Sequence, residues 1–115
     1  MLFKKISLAV LFAGALASQS FAQKAIDSTA VVKVLGNCGM CEERIEKAAF
    51  GKGVKSAEWD VENQMLTVVF NPKKTDLLTI EKRISSVGHD TENTRSNDKT
   101  YNSLHGCCQY DRPKE

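Results

Sequence analysis

Excess charge, long apolar runs and repeats are all scarce in this 115-residue chain. Removal of Lys4 and Lys5 with the first 22 residues reduces the 16 basic residues to 14, the same number as the acidic ones. A chain without net charge lacks the basic surface that binds nucleic acid or an anionic membrane, so neither is expected as a partner. Beyond Ala17 no apolar run reaches the ~20 residues of a spanning helix, so no stable membrane span is expected after that removal.

The N-terminal segment has the pattern of a secretory signal peptide. Lys4 and Lys5 precede an apolar stretch over residues 6–17, and Ser20-Phe21-Ala22 has the small-x-small form of a cleavage site. An uncleaved anchor is the alternative, but the apolar stretch is shorter than the ~20 residues that a spanning helix needs. We therefore expect residues 1–22 to be removed and the protein to be periplasmic or secreted.

The chain has four cysteines, and they form two close pairs, Cys38 with Cys41 and Cys107 with Cys108. Export makes a disulfide framework the first interpretation. The spacing fits it poorly, because adjacent cysteines are bridged only with strain and close pairs constrain very little chain. Metal capture and redox exchange remain as the chemistry of these thiols.

The motif Cys38-Gly39-Met40-Cys41 lies between a β-branched apolar run and a helical pattern. The N-terminus of a helix has unpaired N–H groups and partial positive charge, which favour thiolate over thiol. Thiolate is the form that binds soft metals and attacks disulfides. Paired thiolates select soft ions such as Cu(I), Hg(II) and Zn(II) over Mg or Ca.

Hydrophobic periodicity predicts the order β-α-β-β-α-β for most of the chain. This order is typical of an α+β, ferredoxin-like sandwich, an antiparallel sheet with two helices on one face. Thr75 is the predicted cap of the second helix. The predicted organisation is a lead-in at 23–28, a domain at 29–96 with strands at 29–35, 54–61, 65–70 and about 90–95 and helices at 42–49 and 76–87, and a Cys-containing tail at 97–115.

Residues from about 31 to 92 resemble the heavy-metal-associated domain. The resemblance depends on the Cys-x-x-Cys motif and its helix, on Gly53-Val54-Lys55-Ser56-Ala57 and on Val87-Gly88-His89-Asp90. That family includes copper chaperones, metal-binding modules of transport ATPases and periplasmic mercury-binding proteins. The resemblance implies that Cys38 and Cys41 hold Cu(I) in near-linear sulfur coordination and pass it on by ligand exchange.

Four further residues are lower-ranked candidates for metal ligands. His89 lies in the loop where relatives carry an aromatic, a Lys or a His near the metal, so it is a third ligand, a screen for thiolate charge or an ordinary loop histidine. The tail is outside the family pattern and contains His105, Cys107 and Cys108. One hypothesis is that these tail residues join the Cys38–Cys41 site or bind a separate metal. Others are that they dock a partner, or that the two cysteines form only a vicinal disulfide or unreactive thiols in a mobile terminus.

The chain departs from the family near the motif. Relatives usually carry Met two residues before the first cysteine, packed beneath the loop, where this chain has Gly36. Met40, between the cysteines, is interpreted as a packing or solvent-facing residue or as a thioether ligand. Trp59 is expected to pack in the core.

The predicted function is an exported protein that sequesters or shuttles a soft metal ion, with Cu(I) favoured, without enzymatic turnover. A metal efflux or transport protein is the expected partner. The alternative is a thiol–disulfide oxidoreductase, which also uses a Cys-x-x-Cys at a strand-helix junction. No aromatic precedes Cys38, and Pro72 and Pro113 are poorly placed for the cis-proline of such enzymes. A third reading is a ferredoxin-like interaction module with structural thiols.

Overall fold

The computed structural model of the protein describes residues 26–114, and the predicted signal peptide at 1–22 lies outside this range. No helix within the described range is long and apolar enough to cross a bilayer. The elements are β1 (Ser28–Lys33), α1 (Gly39–Ala49), β2 (Val54–Asp60), β3 (Met65–Phe70), α2 (Leu77–Ser85), α3 (Asp98–Asn102) and a 3-10 turn (Gly106–Cys108).

The sheet has β3 at its centre, with β1 and β2 paired antiparallel on either side. Leu66, Val68 and Phe70 on β3 are buried, whereas the intervening Thr67 is exposed. This alternation is that of a strand with one face covered and the other in water. The predicted α+β, ferredoxin-like class is confirmed, with helices packed over an antiparallel sheet.

The two main helices bury apolar faces with helical spacing. On α1, Cys41, Ile45 and Ala49 recur every four residues and are buried, and α1 packs against both β2 and α2. On α2, Ile80 and Ile84 are buried. The second cysteine of the motif is therefore part of the hydrophobic core.

The N-cap of α2 lies one residue later than predicted, and the helix runs from Leu77 to Ser85 rather than over 76–87. The carboxylate of Asp76, rather than Thr75, accepts a hydrogen bond from the Thr79 backbone N–H at 2.8 Å. This bond lowers the pKa of Asp76, because N–H donors stabilise its ionised form. Thr75 and Asp76 are neighbours and both residue types are common at N-cap positions, so the sequence pattern could place the cap one residue too early.

The predicted fourth strand is reduced to a single antiparallel bridge between Val34 and Thr91. Two backbone hydrogen bonds flank it, after which the Thr91 N–H donates to the Thr94 carbonyl and the chain turns away. The buried carboxylate of Glu81 on α2 accepts from the Asn93 N–H at 3.0 Å. Because the Asn93 N–H is hydrogen-bonded to a side chain of α2, it does not pair with β1, and the fourth strand is not extended.

The tail packs against the domain. Leu104, Cys108 and Tyr110 are buried and belong to the same hydrophobic core as the sheet and helices. The Tyr110 hydroxyl donates to the Gly88 carbonyl and accepts from the Asp90 N–H, each at 2.8 Å. These contacts place the 3-10 turn beside the start of α1.

Candidate functional site

The site is built on the first turn of α1. Cys38 is the N-cap residue in extended conformation, and its carbonyl accepts from the Glu42 N–H at 3.0 Å. Because Cys41 lies one turn further, the two sulfur atoms face each other 3.7 Å apart. Both cysteines are free thiols.

These two thiols differ in acidity. The backbone N–H of Cys41, assisted by that of Met40, lowers the pKa of Cys38 to about 7, because the helix start stabilises the thiolate. Burial raises the pKa of Cys41 to about 12, although the Asn37 N–H donates to its sulfur at 3.4 Å. The pair therefore combines an accessible thiolate with a buried thiol.

The tail brings a third sulfur to this pair. Cys108 is fully buried, and its Sγ lies 3.9 Å from that of Cys38. The sulfur atoms of Cys38, Cys41 and Cys108 all lie within 4.8 Å of one another, which makes them a group able to hold a metal ion within the described part of the chain. The sulfur of Cys107 also lies 3.9 Å from that of Cys38, but Cys107 is exposed and is not a member of this group.

His89 is buried close to the sulfurs but is engaged elsewhere. Its Nδ1 lies 2.8 Å from the Leu35 carbonyl, and because a carbonyl only accepts, Nδ1 carries the proton. Its Nε2 faces the Arg44 guanidinium at 3.5 Å, and its ring stacks on Tyr110. Burial lowers the pKa of His89, so the neutral ring with Nε2 as acceptor is favoured.

Arg44 was not singled out by sequence reasoning, although it is central here. Its Nη1 donates to the Cys108 sulfur at 3.3 Å and also contacts His89. The sequence feature that could have identified Arg44 is its position three residues after Cys41, because residues three apart on a helix are neighbours on its surface. Tyr110, which fixes the tail, was also missed, since only its aromatic character within a polar segment marked it.

The other candidate residues lie outside the sulfur cluster. His105 is exposed at the start of the 3-10 turn. Met40 is 46% exposed. Trp59 is buried and its indole N–H donates to the Val34 carbonyl at 2.9 Å. A Cβ added at Gly36 would lie 3.0 Å from the Trp59 ring, so the tryptophan fills the space beneath the loop.

Comparisons with known proteins cover the part of the site that contains Cys38 and Cys41. Residues 37–90 match the family model of the heavy-metal-associated domain. The CopZ metallochaperone is 29% identical, covering 56% of this chain and 98% of its own, with a TM-score of 0.54. A copper binding domain from HMA7, a P-type ATPase, is 27% identical over 56% of this chain and 89% of its own, with a TM-score of 0.54.

Oxidised MerP from Ralstonia metallidurans CH34 is 23% identical, covers 58% of this chain and 96% of its own with a TM-score of 0.55, and supports the fold. No curated protein matches the chain. The resemblance to the heavy-metal-associated domain is therefore confirmed for residues 37–90. Cys107 and Cys108 lie beyond the matched range.

Proposed function

We propose that this protein binds a soft heavy-metal ion through the thiolates of Cys38 and Cys41 and sequesters or shuttles it, with Cu(I) as the favoured cargo. The observation that carries the proposal is two free thiols 3.7 Å apart at a helix start within a heavy-metal-associated domain. Thiolates prefer soft ions, which leaves Hg(II) and Zn(II) as further candidates. Each thiol loses its proton when it becomes a ligand, so binding is favoured by the lowered pKa of Cys38.

Export and delivery are part of the same proposal. The signal-like segment at 1–22 supports a periplasmic or secreted location. Similar structures include a metallochaperone and a domain of a P-type ATPase. We therefore expect a metal transport or efflux protein as the partner and binding without turnover.

An anaerobic titration of the reduced protein with Cu(I) against a competing chelator tests the site. Structural zinc sites contribute roughly 10–16 kcal/mol from four ligands, or about 3 kcal/mol per ligand, so loss of one thiolate lowers affinity at least about 100-fold. We expect this loss in both Cys38→Ser and Cys41→Ser, with circular dichroism unchanged. Wild-type affinity in both variants would contradict the proposal.

The unequal acidity of Cys38 and Cys41 also suits thiol–disulfide exchange, which is the second candidate function. A redox enzyme would reduce a disulfide substrate over many cycles with an external thiol as reductant, or oxidise a dithiol substrate with an external disulfide as oxidant, and its Cys38→Ser variant would not. Turnover by the metal-free protein would favour that function. Tight binding of Cu(I) without turnover would favour the metal carrier.

A further inference from the structure

We infer that Cys108 supplies a third thiolate to the site and that Arg44 is the positioning residue that offsets the charge of the resulting three-sulfur complex. This inference rests on the proposed function and adds a third ligand to the same metal site. It makes the cargo an ion that accepts trigonal sulfur coordination and makes the C-terminal tail part of the binding site.

The distances between the sulfur atoms carry the first step. With metal–sulfur bonds of ~2.3 Å, two sulfurs in linear coordination lie ~4.6 Å apart, whereas three sulfurs in a plane lie ~4 Å apart. Cys38 is 3.7 Å from Cys41 and 3.9 Å from Cys108, and all three sulfurs lie within 4.8 Å of one another. The arrangement therefore matches a three-coordinate ion better than a two-coordinate one.

The tail is held in place by contacts that involve no sulfur. Tyr110 bonds to Gly88 and Asp90, and Arg112 donates to the Asp90 carboxylate at 2.8 Å. Leu104 lies against Gly88, where an added Cβ would come within 2.9 Å of it. Cys108 is therefore positioned before a metal arrives, which reduces the ordering that binding requires.

The positive charge of Arg44 is the basis of its proposed role in the site. Three thiolates around a monovalent or divalent ion leave a net negative charge in a partly buried place, where it is poorly solvated. The Arg44 guanidinium donates to the Cys108 sulfur at 3.3 Å. His89, neutral and held by Leu35, accepts from the same guanidinium and fixes its position. Such outer contacts orient metal ligands and change affinity 10- to 100-fold.

Adjacent cysteines provide a matched pair of variants, Cys108→Ser and Cys107→Ser. Each loses one tail sulfur, but only Cys108 is buried in the cluster. X-ray absorption on the Cu(I)-loaded, reduced proteins counts the sulfur neighbours of the metal. We expect three in the wild type and in Cys107→Ser, two in Cys108→Ser, and a loss of affinity of about 100-fold in Cys108→Ser alone.

Two sulfur neighbours in the wild type, or unchanged coordination and affinity in Cys108→Ser, would overturn the inference. Where Cys108→Ser folds poorly, Cys107→Ser decides the matter, because three sulfur neighbours in that variant leave Cys108 as the third ligand and two would exclude it. Cys108→Ala is a second variant at the same position. Absence of tight binding by the wild type would instead contradict the proposed function itself.

Arg44→Gln tests the charge. We expect it to retain three sulfur neighbours while binding Cu(I) about 10- to 100-fold more weakly. Arg44→Lys, which keeps the positive charge, is expected to recover part of the affinity. An unchanged affinity in Arg44→Gln would overturn the assignment of Arg44, and equal losses in the Gln and Lys variants would do so as well.

Discussion

At the scale of single residues, the environment of each sulfur decides its chemistry. Cys38 faces the backbone N–H groups of the first helix turn, which lower its pKa to about 7. Cys41, one turn later, lies in the core, which raises its pKa to about 12. The neighbouring thiol of Cys38 raises the pKa of the exposed Cys107. Cys38 is therefore an accessible cysteine with its pKa lowered into the physiological range.

Alkylation of the reduced, metal-free protein by iodoacetamide should report this difference. Because thiolate is the nucleophile, we expect the labelling rate of Cys38 to reach half its maximum near pH 7, with Cys41 unlabelled under the same conditions. Peptide mass spectrometry identifies the modified residue, and Cys38→Ser is the control. A midpoint for Cys38 equal to or above that of Cys107 would contradict the prediction.

Sequence reasoning identified the first two sulfurs because a Cys-x-x-Cys at a strand-helix junction is a local pattern. The partners of His89 could not be predicted in that way. Arg44 and His89 are 45 positions apart, and their contact arises only when α1 and the loop after α2 are packed together. A histidine in such a loop is equally compatible with metal binding and with hydrogen bonding, and its tautomer depends on neighbours that the sequence does not display.

At the scale of elements, a buried carboxylate on α2 organises the segment that follows it. Glu81 is 1% exposed and accepts from the Thr91 hydroxyl at 2.8 Å and from the backbone and side chain of Asn93. These bonds hold the chain in a turn. The composition of residues 90–95 allowed an edge strand, but the pattern did not show that a helix side chain competes for the same backbone groups.

Glu81→Ala should destabilise the protein measurably. The substitution leaves the donors of Thr91 and Asn93 without their acceptor, and removal of one partner from buried hydrogen bonds costs about 1–3 kcal/mol. Urea unfolding of the reduced, metal-free protein measures this change. Glu62→Ala, at an exposed position in the turn after β2, is the control. An unfolding midpoint equal to that of wild type would exclude this role for Glu81.

At the scale of the whole molecule, the tail is closed onto the domain by one cluster of charges. Arg112 donates to both oxygens of the Asp90 carboxylate, to Asp98 at 2.7 Å and to the Ser96 carbonyl. Arg95 lies 3.7 Å from the same Asp90 carboxylate. Burial alone would raise the pKa of Asp90, but Arg112 and the Ser96 N–H lower it overall.

We expect Arg112→Met to lower the free energy of unfolding at pH 7 by about 3 kcal/mol, since it leaves a buried carboxylate without its main partner. A lowered folded pKa means that the stabilisation by ionised Asp90 is present above ~3.9, its unfolded value, and is lost as pH falls through the lower folded value. The difference between wild type and variant should therefore narrow under acid conditions.

Urea unfolding of both reduced, metal-free proteins between pH 7 and pH 3 measures this dependence, and Lys114→Met, at an exposed position, is the control. A difference between wild type and Arg112→Met that stays constant over this range would contradict a role for Asp90 ionisation.

The packing of the tail against the domain was the structural feature hardest to predict from the sequence. Its composition is polar, and its apolar residues Leu104 and Tyr110 show no strand or helix period. They are buried because they fill space over Gly88 and the loop at Asp90, a surface that exists only in the folded domain. The domain itself was predictable, because its strands and helices carry regular periods of two and of three to four residues.

A metal ion bound to Cys38 and Cys108 would also be a cross-link between the start of α1 and the C-terminal tail. Cys38 and Cys108 are 70 positions apart, and an ion bound to both would close nearly the whole described chain into a loop. By the entropy relation used for disulfides, closure of such a loop disfavours the unfolded chain by roughly 4 kcal/mol. An incoming thiolate from a partner can open this cross-link by replacing one sulfur ligand of the ion, so transfer of the cargo would also remove the stabilisation that comes from loop closure.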